Sequence, residues 1–565
     1  MDFDYVIVGA GPSGCVLAHR LSSRPGNRVL LVEAGKDHAP GREPPELLDS
    51  LAHMAYMNPN YTWTELRVRY AANLTNRPDG TPPRKYEQGR VVGGGSSING
   101  MMANRGLPED YAEWAALGAH GWDWDGVLPY FKRLEHDLDF DGPMHGKDGR
   151  ILVRRLFPEV WPGFTKAAAD AMNQAGFRYI PDQSADHGDG YFPIAISNVL
   201  DRRVSAATAY LDAVTRQRPN LTVMDQAQAE RLVTDGRRVT GVVVNRGGQS
   251  QTIAAREVIV SAGALHSPAL LLRSGIGPGA HLREHGIAVV ADRAGVGQNL
   301  MEHPNVSICA WMRPEARLPP TVRRQMIVAL RYSSGVADCP HGDMFMVPTN
   351  RTSWHPLGKR IGAIMVWVNK SYSKGRVQLA SPDFRRHPDV HFNMLSDRRD
   401  MERLKAAMRM IYGLYARAPL QAAVSQLFPA TLTDRVRKVS AINRSNLMKT
   451  GLLGAVMDSA PMLRSAAIRN VITPGIRIED VMADDRSLES WILDNVVGTW
   501  HPSCTLRMGA ADDPYAVTDP GGRVYGVEGL RACDASVMPV VPRANTNVPC
   551  MMIGEKIADA VLSGS

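Results

Sequence analysis

The sequence predicts a mixed α/β protein, α+β overall, built from a parallel sheet flanked by helices and a second, antiparallel sheet. Three observations predict it. The chain has 565 residues, more than one hydrophobic core usually serves. Its N-terminal stretch runs strand, glycine-rich turn, helix, strand. Between about residues 304 and 400 the pattern changes to short apolar runs separated by turn residues.

The first strand is Asp4-Tyr5-Val6-Ile7-Val8, an apolar run suited to burial on both faces. Gly9-Ala10-Gly11-Pro12-Ser13-Gly14 follows, then a helical pattern over Cys15–Leu21 and a second strand, Arg28–Val32, ending at Glu33. Gly9 permits the tight turn, Gly11 lets backbone approach a pyrophosphate, and Gly14 lets helix pack on strand. The helix N-terminus offers free N–H groups to phosphates. Glu33 stands 19 residues after Gly14, close to the spacing of the acid that binds an adenosine ribose. A Rossmann-like dinucleotide site is therefore expected, and the motif alone leaves FAD and NAD both open.

Bulk properties set the remaining bounds. Hydrophobic residues are 44% and charged residues 22%, ordinary for a globular protein. The net charge is +8, but no Lys/Arg run with interleaved aromatics marks a nucleic-acid partner. The six cysteines form no CxxC pair, as expected of free thiols in a reducing compartment. No signal peptide or membrane span is evident, so a cytoplasmic location is expected.

Two longer segments carry a family resemblance. Gly89-Arg90-Val91-Val92-Gly93-Gly94-Gly95-Ser96-Ser97-Ile98-Asn99-Gly100 and Gly263–Pro278 (GALHSPALLLRSGIGP) resemble the two hallmarks of the glucose–methanol–choline (GMC) oxidoreductases. Trp500-His501-Pro502, Asp534-Ala535-Ser536 and Asn545-Thr546-Asn547 resemble that family's C-terminal part. The resemblance implies an FAD-binding domain over 1–155, 205–303 and 489–565. It implies a substrate domain over 156–204 and 304–488. It places the 89–100 loop along the isoalloxazine ring. Ile98 stands where some relatives attach FAD through His, which implies non-covalent FAD. The resemblance also places Ser13, Ala34, Trp63, Arg90, Val92, Gly95, Asn99, Gly100, Met101, Ala229, Trp500, Asp534, Ala535 and Thr546 at the cofactor. It places Met102, Trp367, Thr499 and Trp500 at the substrate.

Of the 16 histidines, His501 stands out by following Trp500 in that motif, with Asn545 as its partner 44 positions on. Alcohol oxidation removes a proton and a hydride. An imidazole suits the proton, flavin the hydride, and an amide can hold the oxygen as charge develops. One His and one Cys in His501-Pro502-Ser503-Cys504 are too few for a metal site, and no GxSxG elbow is evident. The Asn in place of a second His resembles the choline and furan-alcohol oxidase branches. Gly106-Leu107-Pro108, Trp122-Asp123-Trp124 and Trp367-Val368-Asn369-Lys370 resemble the furan branch, which implies aryl or furan primary alcohols such as 5-hydroxymethylfurfural, with O2 reduced to hydrogen peroxide. A dehydrogenase passing electrons to a quinone or carrier uses the same hydride step and stays open. A lyase with structural flavin and a relic fold are disfavoured by the His501/Asn545 pair and the intact loops.

The second sheet is expected from strands at 305–312, 342–348, 361–369, 375–380 and 389–394, with more from 148–200. Trp367 reads equally as pocket wall or sheet core. Residues 430–485 are apolar, Met-rich and basic. A lid, an oligomer contact or helical core is favoured there over a membrane-contact helix.

Overall fold

The computed structural model describes residues 2–74, 80–429 and 434–564. The first four residues of the 430–485 segment thus lie outside the described residues. The parallel sheet runs Leu221–Met224, Val29–Val32, Phe3–Val8, then Gln249–Val260, with Leu530–Ala532 also paired to the last. The first half of Gln249–Val260 pairs antiparallel with Arg238–Arg246, which pairs with Ala227–Asp235. That three-stranded meander is not anticipated above, because its strands are mostly polar and its apolar alternation is weak.

Helix Pro12–Leu21 and the closing helix Asn547–Ser563 pack together. A Cβ at Gly554 would lie 3.0 Å from the Val16 side chain, so a glycine sets their spacing. Val6, Ile7, Leu30, Leu31 and Val258 are fully buried beneath, the expected fate of a sheet covered on both faces.

The second sheet has six antiparallel strands, in the order Val424–Pro429, Asn305–Met312, Ile361–Val368, Met344–Thr349, Val328–Tyr332, Gly190–Pro193. Its period of two is strict. Ile364, Val366 and Val368 join the core under helices Gly163–Gln174 and Arg398–Tyr415, while Met365 and Trp367 face the other way with Phe345 and Val347.

Three expected strands fall in this sheet, at 305–312, 344–349 and 361–368. The runs at 376–378 and 389–394 do not: they pair with each other in another sheet, where 389–394 also pairs with Arg67–Ala71. After Val368 the chain is drawn away, because Asn369 and Lys370 donate to the carbonyls of Arg543 and Val541. Their places are filled by 190–193, 328–332 and 424–429. Within 148–200 strands do occur, at 151–154, 190–193 and 196–199, but Gly163–Gln174 is a helix that buries Phe164, Ala168 and Met172.

Candidate active site

A cavity of about 640 Å³ lies between the two sheets. At its nucleotide end Gly9 takes φ +107°, and a Cβ there would sit 2.4 Å from the Ser261 carbonyl. Only glycine fits this turn. Gly94 belongs to the second glycine loop, and a Cβ there would fall 2.8 Å from the Gly11 Cα. The two loops therefore press on one another and leave backbone facing the cavity.

Glu33 ends its strand at the cavity wall. Its carboxylate accepts the Ala10 N–H at 2.9 Å and the Gly35 N–H at 2.8 Å. Burial pushes its pKa up to about 7. Helix Asn547–Ser563 starts beside the cavity, where Asn547 Oδ1 is buried with no hydrogen-bond partner among the described residues.

An acid, two glycine loops, a helix N-terminus and an orphaned amide oxygen share one elongated cavity. These features fit FAD.

Of the residues assigned to the cofactor from sequence, Gly9, Gly11, Ser13, Glu33, Ala34, Trp63, Gly95, Asn99, Gly100, Met101, Ala229, Trp500, Asp534, Ala535 and Thr546 line this cavity. Gly14, Arg90 and Val92 do not. A Cβ on Gly14 would lie 2.0 Å from the Gly9 carbonyl, so it serves helix-on-strand packing. Arg90 holds its guanidinium 4.5 Å from the Trp63 ring. Val92 is buried, its carbonyl accepting the Ser97 hydroxyl. The four residues assigned to substrate, Met102, Trp367, Thr499 and Trp500, also line the cavity. Trp367 is 2% exposed and stacks on Phe345 at 4.8 Å, so wall and core are both its role.

His501 is presented by an irregular turn in which Trp500 sits at φ +62°, a strained setting typical of working sites. Asn545 Nδ2 lies 2.9 Å from His501 Nε2. Two independent hydrogen-bond chains fix the protons around this ring.

The first chain starts at the Ala195 N–H, which can only donate, and reaches Gln183 Oε1 at 3.4 Å. Gln183 Nε2 then donates to Asn104 Oδ1 at 2.6 Å, and Asn104 Nδ2 to Asn545 Oδ1 at 2.5 Å. Asn545 must therefore turn its NH2 toward His501 Nε2, which accepts.

The second chain starts at the Pro542 carbonyl, which can only accept and lies 3.2 Å from His303 Nε2. That places the His303 proton on Nε2 and its lone pair on Nδ1, 2.9 Å from His501 Nδ1. His501 Nδ1 therefore carries the proton, shared with Thr499 Oγ1 at 2.8 Å. Both chains leave the lone pair on His501 Nε2, toward the cavity. Burial first, and the adjacent His303 second, hold the His501 pKa well below 6.5, so the ring is neutral and Nε2 carries no proton.

Glu302 fastens this turn from behind. Its carboxylate accepts the N–H groups of His303 at 2.8 Å and His501 at 2.8 and 3.0 Å, together with the Tyr86 hydroxyl at 2.6 Å. Thr499 adds its N–H and hydroxyl. Glu302, His303 and His501 also form a cluster with metal-ligand atoms close together. However, the imidazole nitrogens sit at hydrogen-bond distance, and the carboxylate is saturated with donors. Sequence reasoning missed Glu302, His303, Asn104 and Gln183. They come from three separate stretches of the chain, and the only local signal was an adjacent acid and histidine before Pro304.

Comparisons with known proteins agree with this geometry. GMC oxidoreductase family models match residues 3–305 and 371–554. The chain is 44% identical to the 5-(hydroxymethyl)furfural oxidase of Methylovorus sp. (strain MP688), over 99% of each chain. It is 34% identical to an oxygen-dependent choline dehydrogenase of Rhizobium etli (strain CIAT 652), over 100% of this chain and 96% of that one. The solved pyridoxine 4-oxidase from Mesorbium loti superposes with a TM-score of 0.81 at 25% identity, covering 99% of both chains. With its FAD cradle and its histidine–asparagine pair in one cavity, this chain belongs to the GMC oxidoreductase family of FAD-dependent enzymes that act on alcohol groups.

Proposed function

We propose that the protein oxidises primary alcohols on aromatic or furan rings to aldehydes, with His501 as the base and O2 as the electron acceptor. The carrying observation is the lone pair on His501 Nε2, fixed from both sides, beside the Asn545 amide in an FAD-sized cavity. A substrate oxygen that displaces the direct Asn545–His501 hydrogen bond gives its hydroxyl proton to Nε2 and receives a hydrogen bond from Asn545 Nδ2. Bound FAD supplies the hydride acceptor. Asn545 then steadies the oxygen as negative charge develops, and aldehyde leaves once proton and hydride are gone.

The ring preference rests on the aromatic wall of Trp500 and of Trp367, which Phe345 backs, and on the furfural-oxidase relative. A cationic choline headgroup would want a free carboxylate beside the site. Glu87 lines the cavity near Trp500, but its charge is answered by Arg437. Transfer of electrons to a carrier in place of oxygen is the alternative, and the dehydrogenase relatives leave the acceptor open. Anaerobic mixing should show benzyl or furfuryl alcohol reducing the flavin faster than choline, with peroxide released once air is admitted. Faster reduction by choline overturns the ring preference. Reduced flavin that persists in air overturns the oxidase.

The residues that line the nucleotide end are assigned to FAD. The stretches 1–155, 205–303 and 489–565 are assigned to the cofactor part, and 156–204 and 304–488 to the substrate part. Ile98 lines the cavity and offers no nucleophile, which supports non-covalent FAD. Acid precipitation is expected to release all the flavin, and flavin left on the denatured chain refutes the assignment. Glu33→Ala removes the ribose acceptor and orphans two loop N–H groups. A loss of one hydrogen bond to a charged group, roughly 1.5–3 kcal/mol, predicts FAD affinity lower by at least ten-fold. Unchanged retention on dialysis removes Glu33 from the site. The six cysteines are free, which supports a reducing, cytoplasmic setting. Among the described residues no helix is long and apolar enough to cross a membrane.

A further inference from the structure

The segment between residues 435 and 477 is unlike the rest of the surface. It carries eight Lys and Arg against one acid, Asp458. The whole chain has a net charge of +8, so nearly all of the excess sits here and the remainder is close to neutral. Helix Arg444–Ser459 buries only Thr450, Gly454 and Met457. Its outward ridge is apolar: Met448, Leu452 and Val456, spaced by four, are 74%, 72% and 39% exposed. The next helix, Pro461–Ala467, begins with Met462 at 89% and Leu463 at 57%. Arg444, Lys449 and Arg469 are exposed among these residues and have no acidic partner among the described residues.

The apolar ridge is held outward. Met457 and Ile468 anchor the segment in a cluster with Trp311, Ile361 and Phe428. Asp458, the one acid, is consumed by Arg317 and Arg360. A monomeric protein rarely leaves so continuous an apolar surface facing water. The same segment also reaches inward, since Val436, Leu453, Met457, Val471 and Ile472 line the active-site cavity. The exposed apolar surface and the apolar cavity wall are therefore two sides of one element.

We propose that residues 435–477 dock the protein peripherally on an anionic lipid bilayer, with Met448, Leu452, Met462 and Leu463 entering the interface and Arg444, Lys449 and Arg469 meeting lipid phosphates. An exposed apolar ridge rimmed by unpaired cations is the chemistry that such a surface recognises. A second copy of this chain would bring the same positive charge against itself, which disfavours self-association through this face. Docking there would place the element that forms this part of the cavity wall against the bilayer.

Flotation of the FAD-loaded enzyme with vesicles tests this without reference to any substrate. Vesicles of equal phosphatidylglycerol and phosphatidylcholine should carry the protein, and pure phosphatidylcholine should carry much less. Binding should weaken between about 0.1 M and 1 M salt, as the Debye length shrinks from about 10 to 3 Å. Met448→Glu with Leu452→Glu should lower the bound fraction by about ten-fold or more, and Arg444→Glu with Lys449→Glu should do the same. All four side chains are exposed, so both variants should keep bound flavin and wild-type turnover of benzyl alcohol in solution. Failure to float with anionic vesicles overturns the proposal, as does flotation that neither pair reduces. A wild-type dimer that the Met448→Glu/Leu452→Glu variant converts to monomer also overturns it, because a second copy then covers the face.

Discussion

Replacing His501 with Ala is expected to slow flavin reduction by roughly 10²–10⁴-fold, the usual contribution of a positioned base, while FAD stays bound. The nucleotide grip proposed above lies elsewhere, at the end of the cavity lined by Gly9, Gly11, Glu33 and the 94–99 loop. The proton acceptor lost is specifically Nε2, because Nδ1 is occupied by His303 and Thr499. His501→Gln makes the point sharper. Its side-chain nitrogen only donates, and its oxygen is a far weaker base than imidazole, so it should restore packing and not rate. If His501 instead served only to pack under Trp500, the Ala variant would lose stability or flavin and keep its rate per bound FAD. Anaerobic reduction normalised to bound flavin separates the two, and a rate within a few-fold of the parent removes His501 from the chemistry. Asn545→Ala should also slow reduction, by less, since it removes a donor to the substrate oxygen and leaves the base.

The nucleotide end of the cavity was legible because its physics is local. A tight turn, a close backbone approach and a helix start all fall within six residues, Gly9 to Gly14, and each demands glycine or a small residue. His501 and Asn545 were legible only through the family motif, since nothing in residue type alone separates them from the other histidines and asparagines. The groups that define the proton on His501 were not legible at all. Gln183, Asn104 and Asn545 meet between loops, 79 and 441 residues apart in the chain, and no periodicity records which amide faces which. The second sheet shows the same limit. Alternation marked Ile361–Val368 correctly, but alternation cannot say which strand pairs with which, and 376–378 and 389–394 went elsewhere because of side-chain hydrogen bonds from Asn369 and Lys370.

Glu302→Gln is expected to be nearly as damaging as loss of the histidine, for a different reason. Every contact made by this buried carboxylate is to a donor: three backbone N–H groups, the Tyr86 hydroxyl and the Thr499 hydroxyl. An amide of the same shape must turn its NH2 against one set of those donors. With the NH2 on the Oε2 side the Tyr86 hydroxyl can turn and accept, but the His501 N–H then faces a donor; a weakened buried N–H costs roughly 1–3 kcal/mol, and the turn carrying His501 must shift to relieve it. A displacement of about 1 Å at a reacting group can cost about 10²-fold in rate, so kcat should fall by that order with KM changing much less. Glu302→Asp keeps two acceptor oxygens and should recover part of the loss. A pH profile tests whether the charge itself matters. Burial lifts the Glu302 pKa to about 7, against the pull of its donors, while His501 titrates well below 6.5. As pH falls through about 7, Glu302 gains a proton, its acceptors are lost, and flavin reduction should slow. The Gln variant has no such group, so it should lack that limb and keep only the lower one, where His501 itself becomes protonated. If Glu302 merely braces the fold, the variant will melt earlier yet reduce flavin at the parental rate with the parental pH profile, and the carboxylate then has no part in holding the base.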